Sequence, residues 1–325
     1  MSEKKKKKLI SVVVPVYNEE AVLSETSKRL KQSMETCGYD YEILWVNDGS
    51  KDQTLAMARE LCEKDKHFKL ISFSRNFGHQ IAITAGMDFS LGDAVVIIDA
   101  DLQDPPAVIL DMIQKWDEGY EVVYGKRLKR SGETFFKKFT AKVFYRFINM
   151  MTEVDMPVDV GDFRLIDRKV VDALKLVNER QRYVRGIIAW LGFKTTAVEY
   201  NRDKRFAGET KYPLKKMIKF ALDAITSFSY KPLRLATYMG LIVSFFSFVY
   251  LLVVLFQGWF TDTTVPGWAS SMAVILIFNG IILMILGVIG EYIGRIYDEV
   301  KGRPLYLVSY SENLSEKQKG QLLQR

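Results

Sequence analysis

The stretch Val95–Pro106, VVIIDADLQDPP, runs from an apolar segment directly into Asp99, Asp101 and Gln103 before two prolines. A short apolar run of this kind is typical of a strand buried in a parallel sheet. Side chains two residues apart on an extended chain leave the same face, so the spacing predicts that Asp99 and Asp101 converge on one site. Carboxylates suit Mg²⁺ or Mn²⁺, which commonly bind through one or two carboxylates and substrate phosphates. We therefore predict a metal and diphosphate site here, although an isolated pair of this spacing is also compatible with solvated acids that end a strand.

The composition indicates two domains, or one domain with an appendage. The chain has 325 residues, of which 48% are hydrophobic, and this is enough for a sizeable core. Cys37 and Cys62 are too few for a disulfide framework and fit no zinc spacing. The net charge of +7 favours an anionic partner. The basic residues do not form the surface of a nucleic-acid-binding module, so no nucleic-acid partner is predicted.

The first part of the chain alternates strand and helix patterns, which predicts an α/β fold with a mostly parallel sheet. The predicted strands are Leu9–Val16, Tyr41–Asn47, Lys69–Phe73, Ala94–Asp99 and Glu121–Tyr124, and the predicted helices are Ala21–Cys37, Asp52–Lys64 and Gln80–Ser90. Polar residues follow three of these strands, where ligands bind in such sheets: Tyr17, Asn18 and Glu19, then Asp48, then Asp99 and Asp101.

The turn after the first strand, Pro15–Glu19, differs from two common phosphate-binding turns. It has neither the Gly-rich fingerprint of a dinucleotide-binding domain nor a Walker loop. Its flat and polar side chains suit a nucleotide base or ribose instead. A second interpretation, compatible with the first, is that Asn18 caps the helix that follows.

Two apolar segments near the C-terminus predict a pair of transmembrane helices. No residue is charged from Leu235 to Phe256 or from Trp268 to Gly290, and each segment can cross a hydrocarbon core of about 30 Å at about 1.5 Å per residue. The alternative is a buried hairpin of a soluble protein. The intervening loop carries only Asp262 as a charge, whereas lysine and arginine crowd both outer flanks. The positive-inside bias therefore predicts a multi-pass protein of the cytoplasmic (inner) membrane, with the α/β part and both termini in the cytoplasm.

The predicted organisation has five parts. They are a basic tail at 1–8, an α/β domain at 9–200, a basic juxtamembrane segment at 201–234, a two-helix anchor at 235–290 and a cytoplasmic tail at 291–325. Two helical patterns, Thr134–Met151 and Pro213–Ser229, combine an apolar stripe with basic residues. Each stripe either contacts the membrane or packs on the globular core.

Five motifs taken together resemble those of family 2 glycosyltransferases. They are PVYNE at Pro15–Glu19, NDGSKDQT at Asn47–Thr54, SRNFGHQIAITAG at Ser74–Gly86, DADLQDPP at Asp99–Pro106 and GDFRLIDR at Gly161–Arg168. Within that family, the chain is most similar to the polyprenyl-phosphate glycosyltransferases, which include dolichol-phosphate mannose synthases and bacterial bactoprenol-phosphate glucosyltransferases. The similarity extends from Leu9 to about Arg303.

The resemblance implies a GT-A fold, a nucleotide-sugar donor, Mg²⁺ or Mn²⁺, inversion at the anomeric carbon and a polyprenyl phosphate acceptor, undecaprenyl phosphate in a bacterium. UDP-glucose is the first expectation for the donor, and N-acetylglucosamine, mannose and amino-pentose donors stay open. Carried over by position, the nucleoside would be bound by Pro15, Tyr17, Glu19 and Asp48, and the metal and diphosphate by Asp99, Asp101 and Gln103.

The segment RFAGETKY, with Arg205, Thr210 and Lys211, resembles the part of the family that contacts phosphates near the membrane. His79 departs from the family pattern, because a lysine is expected after SRNFG. The resemblance also implies a homo-oligomer.

The acceptor side of such a reaction needs cations more than it needs a base. A lipid monophosphate is already ionised near neutral pH, since its second pKa lies near about 6. The leaving nucleoside diphosphate gains negative charge, which Arg, Lys or a metal ion stabilises. The candidate cations are Lys126 and Arg127 after the predicted strand Glu121–Tyr124, Arg164 in GDFRL, and Arg205 with Lys211.

Asp162 lies where related transferases with hydroxyl acceptors keep a catalytic base. Two roles stay open for it, a general base or an ion-pair partner that orients Arg164. The candidate catalytic residues are therefore Asp101, Asp162, Arg127 and Arg164.

Three other functions fit the sequence less well. A processive polysaccharide synthase would carry a Q-x-x-R-W motif, whereas Gln181 is followed by Arg182-Tyr183-Val184-Arg185. A flippase would need a polar path through the membrane, so a separate flippase and a downstream glycosyltransferase are predicted as partners. A non-catalytic, membrane-tethered nucleotide-sugar sensor is the remaining alternative, and the complete set of acids argues against it.

Overall fold

The computed structural model describes residues 7–128, 160–177, 179–180, 182–202, 231–260 and 267–322. These residues divide into two compact units. The first unit contains the described residues up to 202 together with those from Arg303 onwards. The second unit contains the described residues from 231 to Gly302.

Strands and helices alternate through the first unit, as predicted. The strands are β1 (Leu9–Val16), β2 (Asp40–Asn47), β3 (Phe68–Phe73), β4 (Ala94–Ile97), β5 (Val122–Arg127), β6 (Val160–Asp167), β7 (Thr195–Tyr200) and β8 (Val308–Glu312). The helices of the first unit are α1 (Leu23–Glu35), α2 (Thr54–Lys64), α3 (His79–Phe89), α4 (Val108–Asp117), α5 (Arg168–Leu176), α6 (Val184–Trp190) and α9 (Glu316–Leu322). Those of the second unit are α7 (Lys231–Phe260) and α8 (Trp268–Val300).

The strands form one sheet in the order β7-β5-β6-β4-β1-β2-β3-β8. Strands β4, β1, β2 and β3 are parallel to one another, and β5 is parallel to β7. Strands β6 and β8 run antiparallel to their neighbours. This confirms the predicted GT-A-like α/β fold with a mostly parallel sheet.

The core lies where the apolar strands pack against helices. Residues Val12 and Val14 of β1 and Trp45 of β2 are completely buried, and Leu30 and Met34 of α1 belong to the same cluster. The unbroken apolar runs of β1 and β2 follow from this, because parallel strands in the middle of a sheet are covered on both faces. Each such side chain contributes about 1.5–3 kcal/mol through its burial.

The prediction that a strand spans Ala94–Asp99 is wrong at its end. Strand β4 stops at Ile97, where its pairing with β1 and β6 also stops. The chain then turns, and Leu102 adopts a left-handed backbone conformation with φ of 57°. Asp99 and Asp101 therefore lie in a turn rather than on one face of a strand. Their proximity comes from the turn and not from strand periodicity.

The predicted strand Glu121–Tyr124 is also different in the structure. It is Val122–Arg127, because β7 continues to pair with it as far as Tyr200. Lys126 and Arg127 thus lie on β5 and not after it. Consecutive side chains on a strand point to opposite faces, so these two cations do not share one site.

Of residues 291–325, which were predicted to be a tail, those up to Gly302 belong to the second unit and the described residues from Arg303 onwards belong to the first. The part in the first unit contains the edge strand β8, which pairs with β3, and α9. Gln318 of α9 is completely buried, and its Nε2 donates to the carbonyl of Phe89 at 2.6 Å. The five-residue sequence of β8, VSYSE, is too short and polar to predict a strand from periodicity.

Helices α7 and α8 contain the two predicted spans, Leu235–Phe256 and Trp268–Gly290, and extend beyond them. Within the described part of the chain, one helical stretch is long and apolar enough to cross a membrane, Ile277–Val300, and Ala236–Tyr250 is a shorter apolar stretch. These assignments rest on length and composition. Leucine, isoleucine and phenylalanine side chains are exposed along both helices.

Candidate functional site

The carboxyl ends of β1 and β2 lie side by side and carry the residues predicted to bind a nucleoside. Pro15 pairs with Val46 in the sheet, and the N–H of Asp48 donates to the carbonyl of Val16 at 2.9 Å. Tyr17 and Glu19 follow directly and are both half-buried. The structure therefore brings Pro15, Tyr17, Glu19 and Asp48 together at one end of the sheet.

The turn after β1 is joined to the loop after β2 by hydrogen bonds. Asn18 has a left-handed backbone with φ of 53°, its Oδ1 accepts from the N–H of Lys51 at 2.9 Å, and its own N–H donates to Ser50 Oγ at 3.0 Å. The alternative interpretation, that Asn18 caps the next helix, is wrong. Helix α1 begins only at Leu23 and has no side-chain cap.

Asp48 is a buried carboxylate that organises a neighbouring loop. Its Oδ1 accepts from the N–H of Phe77 at 2.6 Å, and its Oδ2 accepts from the N–H of Gly78 at 2.9 Å. Burial raises the pKa of Asp48, and the two N–H donors oppose that rise. The carboxylate thus joins the end of β2 to the SRNFG loop that precedes α3.

Gly49 is required by the close approach of those two loops. Its φ is +67°, and an added Cβ would lie 2.5 Å from the carbonyl carbon of Arg75 and 2.7 Å from the backbone nitrogen of Asn76. Both neighbours are backbone atoms and cannot move aside as a side chain can. The glycine of the NDGS motif is therefore explained by packing and backbone conformation together.

His79, Asp99 and Asp162 form a charged cluster beyond the end of β4. The Nε2 atom of His79 lies 3.4 Å from Asp99 Oδ1 and 3.4 Å from Asp162 Oδ2. Burial raises the pKa of Asp99 to about 6, although the charge of His79 opposes the rise. Burial lowers the pKa of His79, but the carboxylates of Asp99 and Asp162 outweigh that effect and raise it to about 9. The histidine therefore supplies the positive charge that the resemblance leads one to expect from a lysine.

Asp162 has a different partner from the one predicted. Its carboxylate accepts from Arg185 Nε at 2.7 Å and from Arg185 Nη2 at 2.9 Å, which is a bidentate ion pair. Gln80 Nε2 adds a third donor at 3.3 Å. Burial raises the pKa of Asp162, but Arg185 outweighs it and holds the pKa well below its usual range. A carboxylate held this way takes up a proton weakly, which favours an orienting role over that of a base.

Arg164, the predicted partner of Asp162, is instead bound to its own strand. Its Nη2 donates to the carbonyl of Gly161 at 2.8 Å, and its Nε donates to the carbonyl of Asp162 at 3.3 Å. The residue is buried, and burial lowers its pKa to about 10. The Arg164 guanidinium is therefore buried against the backbone of β6, and it is not exposed to an acceptor phosphate.

Arg127 is held by two residues that sequence reasoning missed. Its Nη2 lies 3.4 Å from Asp104 Oδ2, and its Nε donates to the hydroxyl oxygen of Tyr200 at 3.3 Å. That hydroxyl in turn donates to Asp104 Oδ1. Asp104 is only 1% exposed, whereas about a quarter of the Arg127 side chain is exposed. In the sequence, this contact was indicated only by Asp104, which is the third acid of DADLQD. Tyr200 comes from a strand far along the chain.

Lys126 lies on the opposite face of β5 and donates to Glu199 Oε1 at 2.8 Å, in a half-exposed ion pair. Exposed pairs of this kind contribute little to stability. The other predicted phosphate ligands, Arg205, Thr210 and Lys211, lie outside the described residues. The two basic amphipathic patterns, Thr134–Met151 and Pro213–Ser229, lie outside them as well.

The donor set after β4 fits a hard divalent ion. Asp99 Oδ1 is a buried oxygen that accepts no hydrogen bond within the described residues. The neighbouring Asp101 accepts from the N–H of Gln103 at 3.1 Å. Burial is the main cause of the raised pKa of Asp99, and the negative charge of Asp101 adds to it. The described residues contain no group of three or more His, Cys, Asp or Glu side chains that could hold a metal alone. One or two carboxylates completed by substrate phosphates is the arrangement that Mg²⁺ commonly adopts.

The chain is similar to known glycosyltransferases over nearly its whole length. Residues 11–175 match the family described as glycosyl transferase family 2, and residues 231–296 match the GtrB C-terminal hairpin. A glycosyltransferase of Bacillus subtilis (strain 168) named YkcC is 60% identical, with 94% of this chain and 95% of the relative covered. A prophage bactoprenol glucosyl transferase homolog of Escherichia coli (strain K12) is 42% identical, with 92% and 98% covered. The bactoprenol glucosyl transferase of Shigella phage SfII is 43% identical, with 93% and 98% covered.

Proposed function

Since the chain belongs to glycosyl transferase family 2, we propose that it transfers a sugar from a nucleotide-sugar to polyprenyl phosphate at the cytoplasmic face of a membrane. UDP-glucose is the first candidate donor, because relatives that match nearly the whole chain are named bactoprenol glucosyl transferases. The observation that carries the proposal is the turn from Asp99 to Asp104. It holds a metal-suited carboxylate at one end and, through Asp104, an arginine at the other.

The reaction moves one glycosyl group and needs no proton transfer at the nucleophile. An oxygen of the polyprenyl phosphate forms a bond to the anomeric carbon, from the face opposite the leaving group. The bond from that carbon to the diphosphate oxygen breaks, and its electron pair leaves with the nucleoside diphosphate, so the configuration inverts. The acceptor phosphate is already ionised near neutral pH, so Asp162 is not required as a base.

The residues of the site divide between the two substrates. Asp48 and the turn after β1 would bind the nucleoside, and Asp99 and Asp101, with Gln103 beside them, would hold a divalent ion at the diphosphate. When bound, that ion supplies positive charge against the charge that develops on the leaving group. Arg127 would bind the acceptor phosphate, because it is a partly exposed cation beside the same turn.

The position of β8 supports two membrane crossings. This strand pairs with β3, so the chain before α7 and the chain after α8 both belong to the first unit. One compact unit lies on one side of a membrane, and the chain between its two parts must cross an even number of times. If Ile277–Val300 crosses the membrane, a second crossing is required. The apolar stretch Ala236–Tyr250 of α7 is the candidate for it. The pairing of β8 with β3 therefore favours two spans over one.

An even number of crossings would place the N-terminus and the segment after α8 on the same side of the membrane, as in a GT-A domain with a two-helix anchor. The excess of lysine and arginine on both outer flanks supports the cytoplasm as that side. The product would then form on the cytoplasmic face, and a separate flippase and a downstream glycosyltransferase would be needed to use it elsewhere. A homo-oligomer stays a prediction.

Transfer of radiolabelled sugar to lipid tests the proposed reaction. Purified full-length protein is incubated with undecaprenyl phosphate and a panel of labelled UDP- and GDP-sugars, with Mg²⁺, with Mn²⁺ or with EDTA. We expect label in the organic-extractable lipid from one donor, with UDP-glucose first, and loss of that label with EDTA. Nucleotide binding without transfer from any donor would instead identify a nucleotide-sugar sensor.

Tyr200→Phe tests the role of Arg127. The substitution removes the hydroxyl that accepts from Arg127 and donates to Asp104, so the guanidinium loses one of its supports. A hydrogen bond to a charged group contributes about 1.5–3 kcal/mol, so we expect KM for polyprenyl phosphate to rise roughly tenfold or more. KM for the nucleotide-sugar should stay near its original value.

Steady-state kinetics with each substrate varied in turn makes this measurement. Tyr39→Phe is the matched control, because it removes another tyrosine hydroxyl bonded to a carboxylate, that of Asp117 at 2.7 Å, on an exposed part of the domain. An equal change in both KM values for Tyr200→Phe would contradict a specific role at the acceptor site.

A further inference from the structure

The segment that follows the second long helix returns to the first unit beside the SRNFG loop. Tyr306 is buried, and its hydroxyl donates to Asp88 Oδ2 at 2.9 Å. Its ring stacks on Phe73 with the centroids 5.2 Å apart and the planes at 19°. The next carbonyl, that of Leu307, accepts from the N–H of Ser74 at 3.0 Å. The returning segment therefore binds both the last residue of β3 and the first residue of the loop.

The contacts continue from that segment to the nucleoside end of the site. Phe73 packs edge-to-face against Phe77, with centroids 5.6 Å apart and the planes at 86°. Phe77 is the residue whose N–H donates to Asp48 Oδ1 at 2.6 Å, and Gly78 donates to the other oxygen at 2.9 Å. The rings of Phe73 and Phe77 thus connect Tyr306 to the two N–H groups that hold the Asp48 carboxylate.

The loop between Phe73 and Gly78 has a conformation that needs such support. The pairing of β3 with β8 shifts register between Ser72 and Phe73, so the regular ladder ends just before the loop. Gly78 has φ of 106°, and Arg75 places its guanidinium over the Phe77 ring at 4.0 Å. The aromatic contacts on one side and the carboxylate on the other therefore determine where the two N–H groups point.

We propose that Tyr306 is a positioning residue of the donor site, which acts through Phe73 and Phe77 on the loop that holds Asp48. This inference rests on the proposed function, because it takes Asp48 to belong to the nucleotide-binding region. It gives the chain emerging from the hairpin a role in binding a nucleoside diphosphate. Tyr306 itself need not touch the nucleotide.

Two substitutions at opposite ends of the ring series test the inference. Tyr306→Leu keeps an apolar side chain but removes the stacking ring and the hydroxyl. Phe77→Leu keeps the backbone N–H of residue 77 but removes the ring that contacts Phe73. The second variant leaves the returning segment unchanged, so it keeps the test decisive if Tyr306→Leu does not fold. Leu314→Ala is the control, because Leu314 is a buried residue of the same returning segment that has no part in the ring series.

The measurements are hydrogen exchange of the amides of Phe77 and Gly78, and the Kd for UDP and GDP in the presence of Mn²⁺, all on the full-length protein. For both leucine variants, we expect exchange of these two amides to be roughly tenfold faster, since local opening controls exchange. We also expect Kd for the nucleotide to rise about tenfold. Leu314→Ala should leave both quantities close to those of the unmodified protein.

The outcomes separate the inference from the function on which it rests. Unchanged exchange and unchanged Kd in both leucine variants, in a protein that binds UDP or GDP, would overturn the inference alone. An equal loss of affinity in Leu314→Ala would also overturn it, because the effect would then be general destabilisation. Failure of the unmodified protein to bind either nucleotide would overturn the proposed function, and the inference with it.

Discussion

Asp101→Ala is expected to reduce turnover by at least about 10²–10³-fold, the loss seen when one group that stabilises developing charge is removed. Asp101 lies in the turn after β4, close in sequence to Asp99, whose buried Oδ1 accepts no hydrogen bond from the part of the chain that the structure describes. Without Asp101, a divalent ion at the diphosphate would lose one of the two carboxylates available to it. The side chain is partly exposed and lies outside the sheet, so we expect the thermal unfolding temperature to change little.

Turnover under saturating substrates and the unfolding temperature are measured on the same preparation. Asp111→Ala is the control, because Asp111 is an exposed carboxylate on α4, the next helix along the chain. A near-normal rate in Asp101→Ala would refute the metal assignment. A large loss of thermal stability would show that the carboxylate has a structural role instead.

Arg185→Ala is expected to lower the free energy of unfolding by about 3 kcal/mol, because removing one partner of a buried ion pair leaves an uncompensated charge. The Asp162 side chain is 8% exposed and the Arg185 side chain is 31% exposed, so the expected loss is at the low end of the range for buried pairs. Turnover should fall by about 10²-fold as well, since small displacements of site residues have effects of this size. Arg185→Lys restores the charge without the bidentate geometry and should recover only part of both losses.

The double variant Arg185→Met/Asp162→Asn separates stability from activity. It removes both charges, so its loss of free energy of unfolding should be smaller than the sum of the losses in Arg185→Met and Asp162→Asn alone. Chemical denaturation of the purified protein measures all four members of the cycle. Additive losses would contradict the ion pair as the source of the effect. Full activity in the double variant would show that neither residue positions the site.

The sequence predicted the fold best where the pattern depends on local burial. Strand β1 occupies the predicted residues, Leu9–Val16, because every position after the first is buried and apolar or small. Predictions failed at strand ends, where pairing with a distant neighbour decides the length. Strand β4 ends at Ile97 with its partners, and β5 extends to Arg127 because β7 pairs with it. Such partners are not visible in a local window.

Motifs predicted some residues of the candidate site, and the structure adds others through long-range contacts. The turn residues Asp48, Asp99 and Asp101 were identified, and they lie at the predicted end of the sheet. Arg185 was considered only as part of a missing Q-x-x-R-W motif, and its pairing with Asp162 spans 23 positions of the chain. Tyr200 is 96 positions from Asp104. Contacts of this kind depend on the folded topology, which a single sequence does not display.

The edge position of β8 has a consequence for biosynthesis. A ribosome makes β3 early, but its outer edge gains a partner only after both helices of the hairpin and then Val308–Glu312 have been made. Until that moment, the nascent domain exposes an unpaired strand edge, which is a template for aggregation. Synthesis of the hairpin therefore comes before completion of the sheet. Nascent chains that stall or end within the hairpin would carry an open edge that cellular quality control can recognise.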